Sequence, residues 1–172
     1  MSETATLSLK DKMAAEPGAV VEEVAKSYGV TVREVVEAMP EETRRYAKGD
    51  FSTPEVFVGV MGEVATWGDV TFIVHTDDGI FEFSGAVPPG SIARNYYNLF
   101  GTAGLHGHLR PERCAGVAFM ERQFFGRLSA SILLFNSDGG IMFKIFVGRD
   151  DKRELLPDQL AKFRALADRL CK

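Results

Sequence analysis

The second half of this sequence is a series of short β-rich segments separated by turn residues, a pattern that leaves few folds open. Residues 70–76 and 80–84 flank the turn Asp77-Asp78-Gly79, which predicts a β-hairpin. Further strands are predicted over 96–100, 116–123, 129–135 and 141–147, and the last two are joined by a second hairpin turn at 136–140. Because consecutive hairpins pair antiparallel, this half predicts an antiparallel sheet.

Helical patterns lie on both sides of these strands. Apolar residues at helical spacing over 19–28 stop at Gly29, and Thr31 with Glu34 three residues later has the spacing of a capping box that opens a second helix. Further helices are predicted over 55–67 and, with an amphipathic stripe, over 157–171. The sequence predicts one α+β domain over 1–172, mainly helical in 1–66, with an antiparallel sheet and a C-terminal helix in 67–172.

The composition excludes several classes of protein. A chain of 172 residues with 45% hydrophobic residues has the size and the core of one globular domain. No apolar run approaches the about 18 residues of a membrane helix, and the start Met1-Ser2-Glu3-Thr4 lacks the pattern of a signal peptide. We therefore expect a cytoplasmic protein without stable membrane association.

The helix pair over 19–39 resembles a helix-turn-helix only superficially. A recognition helix presents cations to phosphates, whereas the second helix offers Arg33 beside Glu34 and Glu37. The formal net charge of −4 also lacks the excess of positive charge that is typical of nucleic-acid-binding proteins. A packing pair is the better interpretation, and a helix-turn-helix interaction module stays the weaker alternative.

Candidate metal ligands are few. Two cysteines, Cys114 and Cys171, cannot form a cysteine-based zinc site. His106 and His108 would leave the same face of an extended strand, about 6.6 Å apart along the chain. With His75 as a third ligand they could hold zinc, and the alternative is that they are structural or surface histidines.

Two further patterns concern a possible ligand. Tyr96 and Tyr97 are adjacent, so on a strand only one can line a given pocket while the other packs. Between Arg94 and Arg153 the sequence contains nine basic and five acidic side chains, and seven of the nine basic ones are arginines. Arginines fit a carboxylate-bearing ligand, and the alternative is a scatter of surface cations.

Stretches spread over nearly the whole chain resemble the bacterial intracellular heme-utilisation carriers of the HutX/ChuX type. The matching segments follow each other in the order and spacing of that family. They are Trp67-Gly68-Asp69-Val70-Thr71, Val74-His75-Thr76, Phe81-Glu82-Phe83-Ser84-Gly85, Tyr96-Tyr97-Asn98-Leu99, Gly107-His108-Leu109, Met120-Glu121-Arg122, Ser129-Ala130-Ser131-Ile132-Leu133 and Lys144-Ile145-Phe146-Val147-Gly148-Arg149-Asp150-Asp151.

The resemblance implies a split-barrel-like α+β fold, commonly dimeric, and a non-enzymatic carrier that accepts imported heme and passes it to a heme-degrading enzyme. Its heme-associated histidines fall on His75 and His108, the two expected axial ligands, and Tyr96 is the next candidate. Heme brings four nitrogen donors of its own, so few protein ligands suffice.

Cations for the heme propionates are expected from the arginine-rich half. The candidates are Arg94, Arg110, Arg113 and Arg122. The alternative function is an enzyme that acts on heme by oxidative ring opening.

Overall fold

The structure, a computed structural model, describes residues 7–101 and 104–172. The start of the chain, Met1-Ser2-Glu3-Thr4, lies outside the described residues. The helices are α1 (Leu9–Ala15), α2 (Val21–Tyr28), α3 (Val32–Ala38), α4 (Glu55–Val64) and α5 (Pro157–Leu170). The strands are β1 (Arg44–Tyr46), β2 (Asp69–Thr76), β3 (Gly79–Ala86), β4 (Gly90–Ala93), β5 (Tyr96–Leu99), β6 (Gly107–Leu109), β7 (Cys114–Phe124), β8 (Arg127–Asn136) and β9 (Ile141–Phe146).

The strands form two antiparallel sheets. The larger has six strands in the order β1-β7-β8-β9-β2-β3, and the smaller has three in the order β4-β5-β6. The larger sheet is open, with β1 and β3 at its edges, which is compatible with a split barrel. The predicted α+β class is confirmed.

Local signals in the sequence explain where the N-terminal helices begin and end. Gly29 closes α2 in the left-handed conformation, at φ +65°, which a residue with a Cβ rarely adopts. Thr31 accepts a hydrogen bond from the Glu34 backbone while the Glu34 carboxylate accepts one from the Thr31 backbone. The predicted capping box is thus confirmed.

The six-stranded sheet has a hydrophobic core on each face. On one face, α4, α5 and the three-stranded sheet pack onto Phe72, Ile132 and Phe143. On the other face, α1 to α3 pack onto Leu133 and Phe135. The helix pair at 19–39 therefore buries its apolar side against the sheet, as the packing interpretation predicted.

Some predicted boundaries were wrong. The helix predicted over 55–67 ends at Val64, because Gly68 has φ +82° and the chain turns there into β2. The mainly helical segment 1–66 also contains β1, a three-residue strand that pairs with β7. β4 follows Pro88 and Pro89 directly and was not predicted.

Among the described residues, no helix has both the length and the apolar character required to span a membrane.

Candidate functional site

The three-stranded sheet has one buried face and one outward face. Tyr97 and Leu99 of β5 enter the core with 1% and 5% exposure. Their neighbours Tyr96 and Asn98 therefore point outward, since strand side chains alternate between faces. Asn98 lies directly opposite His108 of β6 in the strand register. The two adjacent tyrosines therefore lie on opposite faces, as expected: Tyr97 packs in the core and Tyr96 points outward.

Asn98 selects the tautomer of the neutral His108 imidazole. Its amide nitrogen lies 3.3, 3.1 and 3.1 Å from the carbonyl oxygens of Ser91, Ala93 and Tyr96. Three carbonyl oxygens can be satisfied only by a hydrogen-bond donor, so the amide nitrogen of Asn98 must lie on their side. The amide oxygen of Asn98 must therefore face the imidazole. That oxygen lies 2.6 Å from Nδ1 of His108. Nδ1 therefore carries the proton, and Nε2 keeps a free lone pair on an exposed ring.

Tyr96 and Arg110 complete this outward cluster. The rings of Tyr96 and His108 meet edge to face, with centroids 5.9 Å apart. The guanidinium of Arg110 donates to the Tyr96 hydroxyl at 3.2 Å and lies 5.4 Å from the ring centroid. An imidazole nitrogen, a phenol and a cation thus share one exposed face.

The surroundings of this cluster combine apolar surface with a second cation. Ala93 lies opposite Tyr96 on β4, and Phe100, just beyond β5, is 61% exposed. Arg94 and Asn95 form the turn between β4 and β5 with φ +53° and +64°, the geometry of a tight hairpin turn. Arg94 is exposed at this tip of the small sheet.

His75 lies elsewhere, on the face of β2 that it shares with Thr71 and Ile73, as predicted. Its Nδ1 is 3.4 Å from a carboxylate oxygen of Glu22 in α2, and that same oxygen accepts from Lys144 at 2.5 Å. The three side chains are only 12–14% exposed. The second oxygen of Glu22 is buried and has no hydrogen-bond partner within residues 7–101 and 104–172.

The two predicted axial histidines are therefore on opposite sides of the six-stranded sheet. His75 faces α2, whereas His108 lies on the outer face of the small sheet that packs against the other side. They cannot ligate one iron within one chain.

The alternative of a three-histidine zinc site finds no support in the part of the chain that the structure describes. His106 precedes β6, and its Nδ1 lies 3.3 Å from the carbonyl oxygen of Gly104. Within residues 7–101 and 104–172, no three histidine, cysteine or acidic side chains cluster in a way that could hold a metal ion.

Two of the candidate arginines have other partners. Arg113 pairs with Asp138. Arg122 donates to the carbonyl oxygens of Pro17 and Ala19 at 2.8 and 2.7 Å, and burial lowers its pKa to about 10. Arg122 therefore anchors the segment before α2. Arg110 remains in the cluster through its contact with Tyr96, and Arg94 remains exposed at the turn of the same small sheet.

Sequence reasoning missed the role of Asn98. The only available signal was its position two residues after Tyr96, which places both on one face of a strand. Its contact with His108 depends on the register between β5 and β6, which no local pattern specifies.

The exposed imidazole of His108 is held by Asn98 and lies beside Tyr96 and Arg110. This arrangement defines a protein that can offer one axial nitrogen to a ligand with anionic groups. Comparisons with known proteins narrow this class. The model of the family described as haem utilisation ChuX/HutX matches residues 51–166.

The intracellular heme transport protein HutX of Vibrio cholerae is 39% identical over 144 residues, which cover 83% of this chain and 72% of that protein. A crystal structure of an Erwinia carotovora protein has a TM-score of 0.88 at 42% identity and covers 96% of this chain and 99% of that one. The structure of the heme-binding protein ChuX has a TM-score of 0.82 at 40% identity, over 94% of this chain and 98% of that one. The chain belongs to the haem utilisation ChuX/HutX family.

Proposed function

We propose that this protein is a heme carrier of the cytoplasm, which accepts imported heme and delivers it to a heme-degrading enzyme without transforming it. The relatives that support this proposal are named as a heme transport protein and a heme-binding protein. The observation that carries it is the imidazole of His108, whose Nδ1–H is held by Asn98 while Nε2 stays free. A histidine that ligates a metal usually donates its other ring N–H in this way.

The outward face of the small sheet fits the chemistry of heme. His108 would offer the axial nitrogen, and Tyr96 and Phe100 would offer apolar surface to the macrocycle. Arg110 and Arg94 would meet the propionate carboxylates. When bound, heme supplies iron already held by four porphyrin nitrogens, so one protein nitrogen is enough.

Exposure of this face suits a carrier. A cargo that must be released is better held on an accessible surface than in a closed cavity, because release then requires no opening of the core. His108 and Arg110 are exposed in the structure. An acceptor enzyme can approach the same face directly.

In this proposal His75 does not ligate the heme that His108 holds. Because it faces Glu22 on the other side of the large sheet, its predicted role as an axial ligand applies only to a second heme or to heme shared between chains. We propose that the chain forms a homodimer, as the family resemblance implies.

A hemin titration of the full chain tests this function. We expect a Soret band that saturates near one heme per chain, and loss of that band in His108→Ala. His106→Ala is the matched control, because this neighbouring exposed histidine has its hydrogen bond to the Gly104 carbonyl oxygen and none to Asn98 or Tyr96. A His108→Ala protein that binds hemin as the wild type does would overturn the assignment.

A further inference from the structure

The polar groups on the outward face of the small sheet differ in how strongly each can hold a ligand. Nε2 of His108 has a free lone pair, because Asn98 accepts from Nδ1 at 2.6 Å. Arg94 and Arg110 are exposed, and exposed ion pairs contribute little in water. A directed bond from Nε2 to a metal is therefore the strongest single interaction that this face offers.

The apolar surface on the same face is small and open. Ala93 and Phe100 are exposed, and the ring of Tyr96 is already in contact with the guanidinium of Arg110. The cavities of about 680, 630 and 180 Å³ in the described part of the chain are lined by residues other than His108 and Tyr96. A flat macrocycle would bury only one of its two sides here, which limits the hydrophobic contribution to its binding.

Porphyrins make it possible to separate these two contributions. The macrocycle and the propionates are the same whichever metal is bound, whereas only the metal can accept the lone pair of Nε2. Zn²⁺ readily takes an imidazole ligand, whereas Ni²⁺ among nitrogen donors is satisfied by a square-planar geometry. A change of metal alone therefore isolates what His108 contributes.

We propose that this face selects its cargo by the metal and not by the macrocycle. The substrate class is then the metalloporphyrins whose metal takes an imidazole as an axial ligand, and hemin is one member of that class. Metal-free porphyrin and porphyrins of square-planar metals bind poorly, although they carry identical propionates. This inference rests on the proposed function and specifies what the site recognises.

Selection by the metal also distinguishes the cargo from what a heme-degrading enzyme makes of it. Oxidative ring opening with loss of the iron leaves a linear tetrapyrrole that keeps both propionates. Such a product still presents carboxylates to Arg94 and Arg110, but it has no metal for Nε2 of His108. The carrier is therefore not occupied by the product of the enzyme that it supplies.

Equilibrium dialysis of the full chain tests this selection. The probes are hemin and the zinc, nickel and metal-free forms of protoporphyrin, and the absorbance of each gives its bound fraction. We expect hemin and the zinc porphyrin to bind. The nickel and metal-free porphyrins should bind at least about tenfold more weakly than the zinc porphyrin, because losing the ligand bond costs no less than losing a residue that orients it.

Two variants assign the selection to its residue. His108→Ala should lower the affinity for zinc protoporphyrin to that for nickel protoporphyrin. Arg94→Gln is the matched control, because Arg94 is exposed at the turn between β4 and β5, whereas His108 lies on β6. It should weaken the binding of both porphyrins by the same factor, since both carry the same propionates. A ratio of zinc to nickel affinity that changes in Arg94→Gln, or stays as in the wild type in His108→Ala, contradicts the assignment.

The same dialysis separates failure of this inference from failure of the proposed function. If wild-type protein binds hemin but binds nickel or metal-free protoporphyrin within that factor of the zinc porphyrin, selection by the metal is wrong and the carrier function stands. If the protein does not bind hemin, the carrier function is wrong, and selection by the metal fails with it.

Discussion

Asn98 accepts a hydrogen bond from Nδ1 of His108, directly across two neighbouring strands, at 2.6 Å. The amide cannot turn over, because its nitrogen already faces three carbonyl oxygens. This contact fixes which imidazole nitrogen is free, and the proposed heme ligation depends on it.

Asn98→Ala should therefore weaken heme binding while leaving His108 in place. Loss of a partner that orients a metal-ligating histidine commonly costs about 10- to 100-fold in affinity. Hemin titration measures the change. Asn95→Gly is the control, because glycine readily adopts the φ of +64° at this neighbouring turn residue. Unchanged hemin affinity in Asn98→Ala would show that the amide does not orient the ligand.

Glu22→Gln should destabilise the fold without changing the heme spectrum. It removes the carboxylate that faces Lys144 and His75 in a site that is only 12–14% exposed. Breaking one side of such a buried pair leaves a cation uncompensated, and we expect a loss of about 2 kcal/mol in the free energy of unfolding. Chemical denaturation checks this, with exposed Glu23→Gln as the control. A Soret band altered by Glu22→Gln would place heme on the His75 side instead.

Gln159→Ala should be strongly destabilising, because this buried side chain joins three backbone groups. Its oxygen accepts from the Gly148 amide at 2.8 Å, and its nitrogen donates to the carbonyl oxygens of Trp67 and Asp69 at 3.0 and 2.7 Å. Leaving these groups unpaired should lower the free energy of unfolding by about 3 kcal/mol. Denaturant unfolding should show little effect for Gln123→Ala, an exposed residue. Equal losses in both variants would refute this role.

Stability should fall in alkaline solution through Tyr46. Burial raises the pKa of Tyr46 to about 12 from its usual value near 10, and its hydroxyl has no partner among the described residues. Between pH 10 and 12 the unfolded chain loses this proton first, so the contribution of Tyr46 is complete below pH 10 and is lost as pH rises through 12. Unfolding curves should show that the free energy of unfolding falls less between pH 9 and 11.5 in Tyr46→Phe than in the wild type. An identical loss in both proteins would contradict the assignment.

Local signals predicted much of the fold. The capping box at Thr31 and Glu34 and the hairpin turn at 77–79 depend on neighbouring residues alone, and both are present in the structure. β1 and β4 escaped prediction because each has at most four residues; β1 depends on pairing with the distant strand β7, and β4 is itself an edge strand of the small sheet. A three-residue strand with two arginines has no pattern of its own.

The candidate site was predictable only in part. His108 and Tyr96 were singled out by resemblance, and their placement on one outward face follows from the alternation along β5 and the register with β6. The separation of His75 from His108 could not be foreseen, because it depends on which face of the large sheet α2 covers. Glu22 and His75 meet across 53 positions of sequence, a contact that packing alone determines.

The most direct test of the central claim is ligand replacement at His108. In His108→Gly the ferric heme complex should lose the wild-type absorption and electron paramagnetic resonance spectra, and added imidazole should restore both, because the site is open to solvent. His75→Gly should keep the wild-type spectra without imidazole. Wild-type spectra in His108→Gly without imidazole would contradict the claim that His108 holds the heme iron.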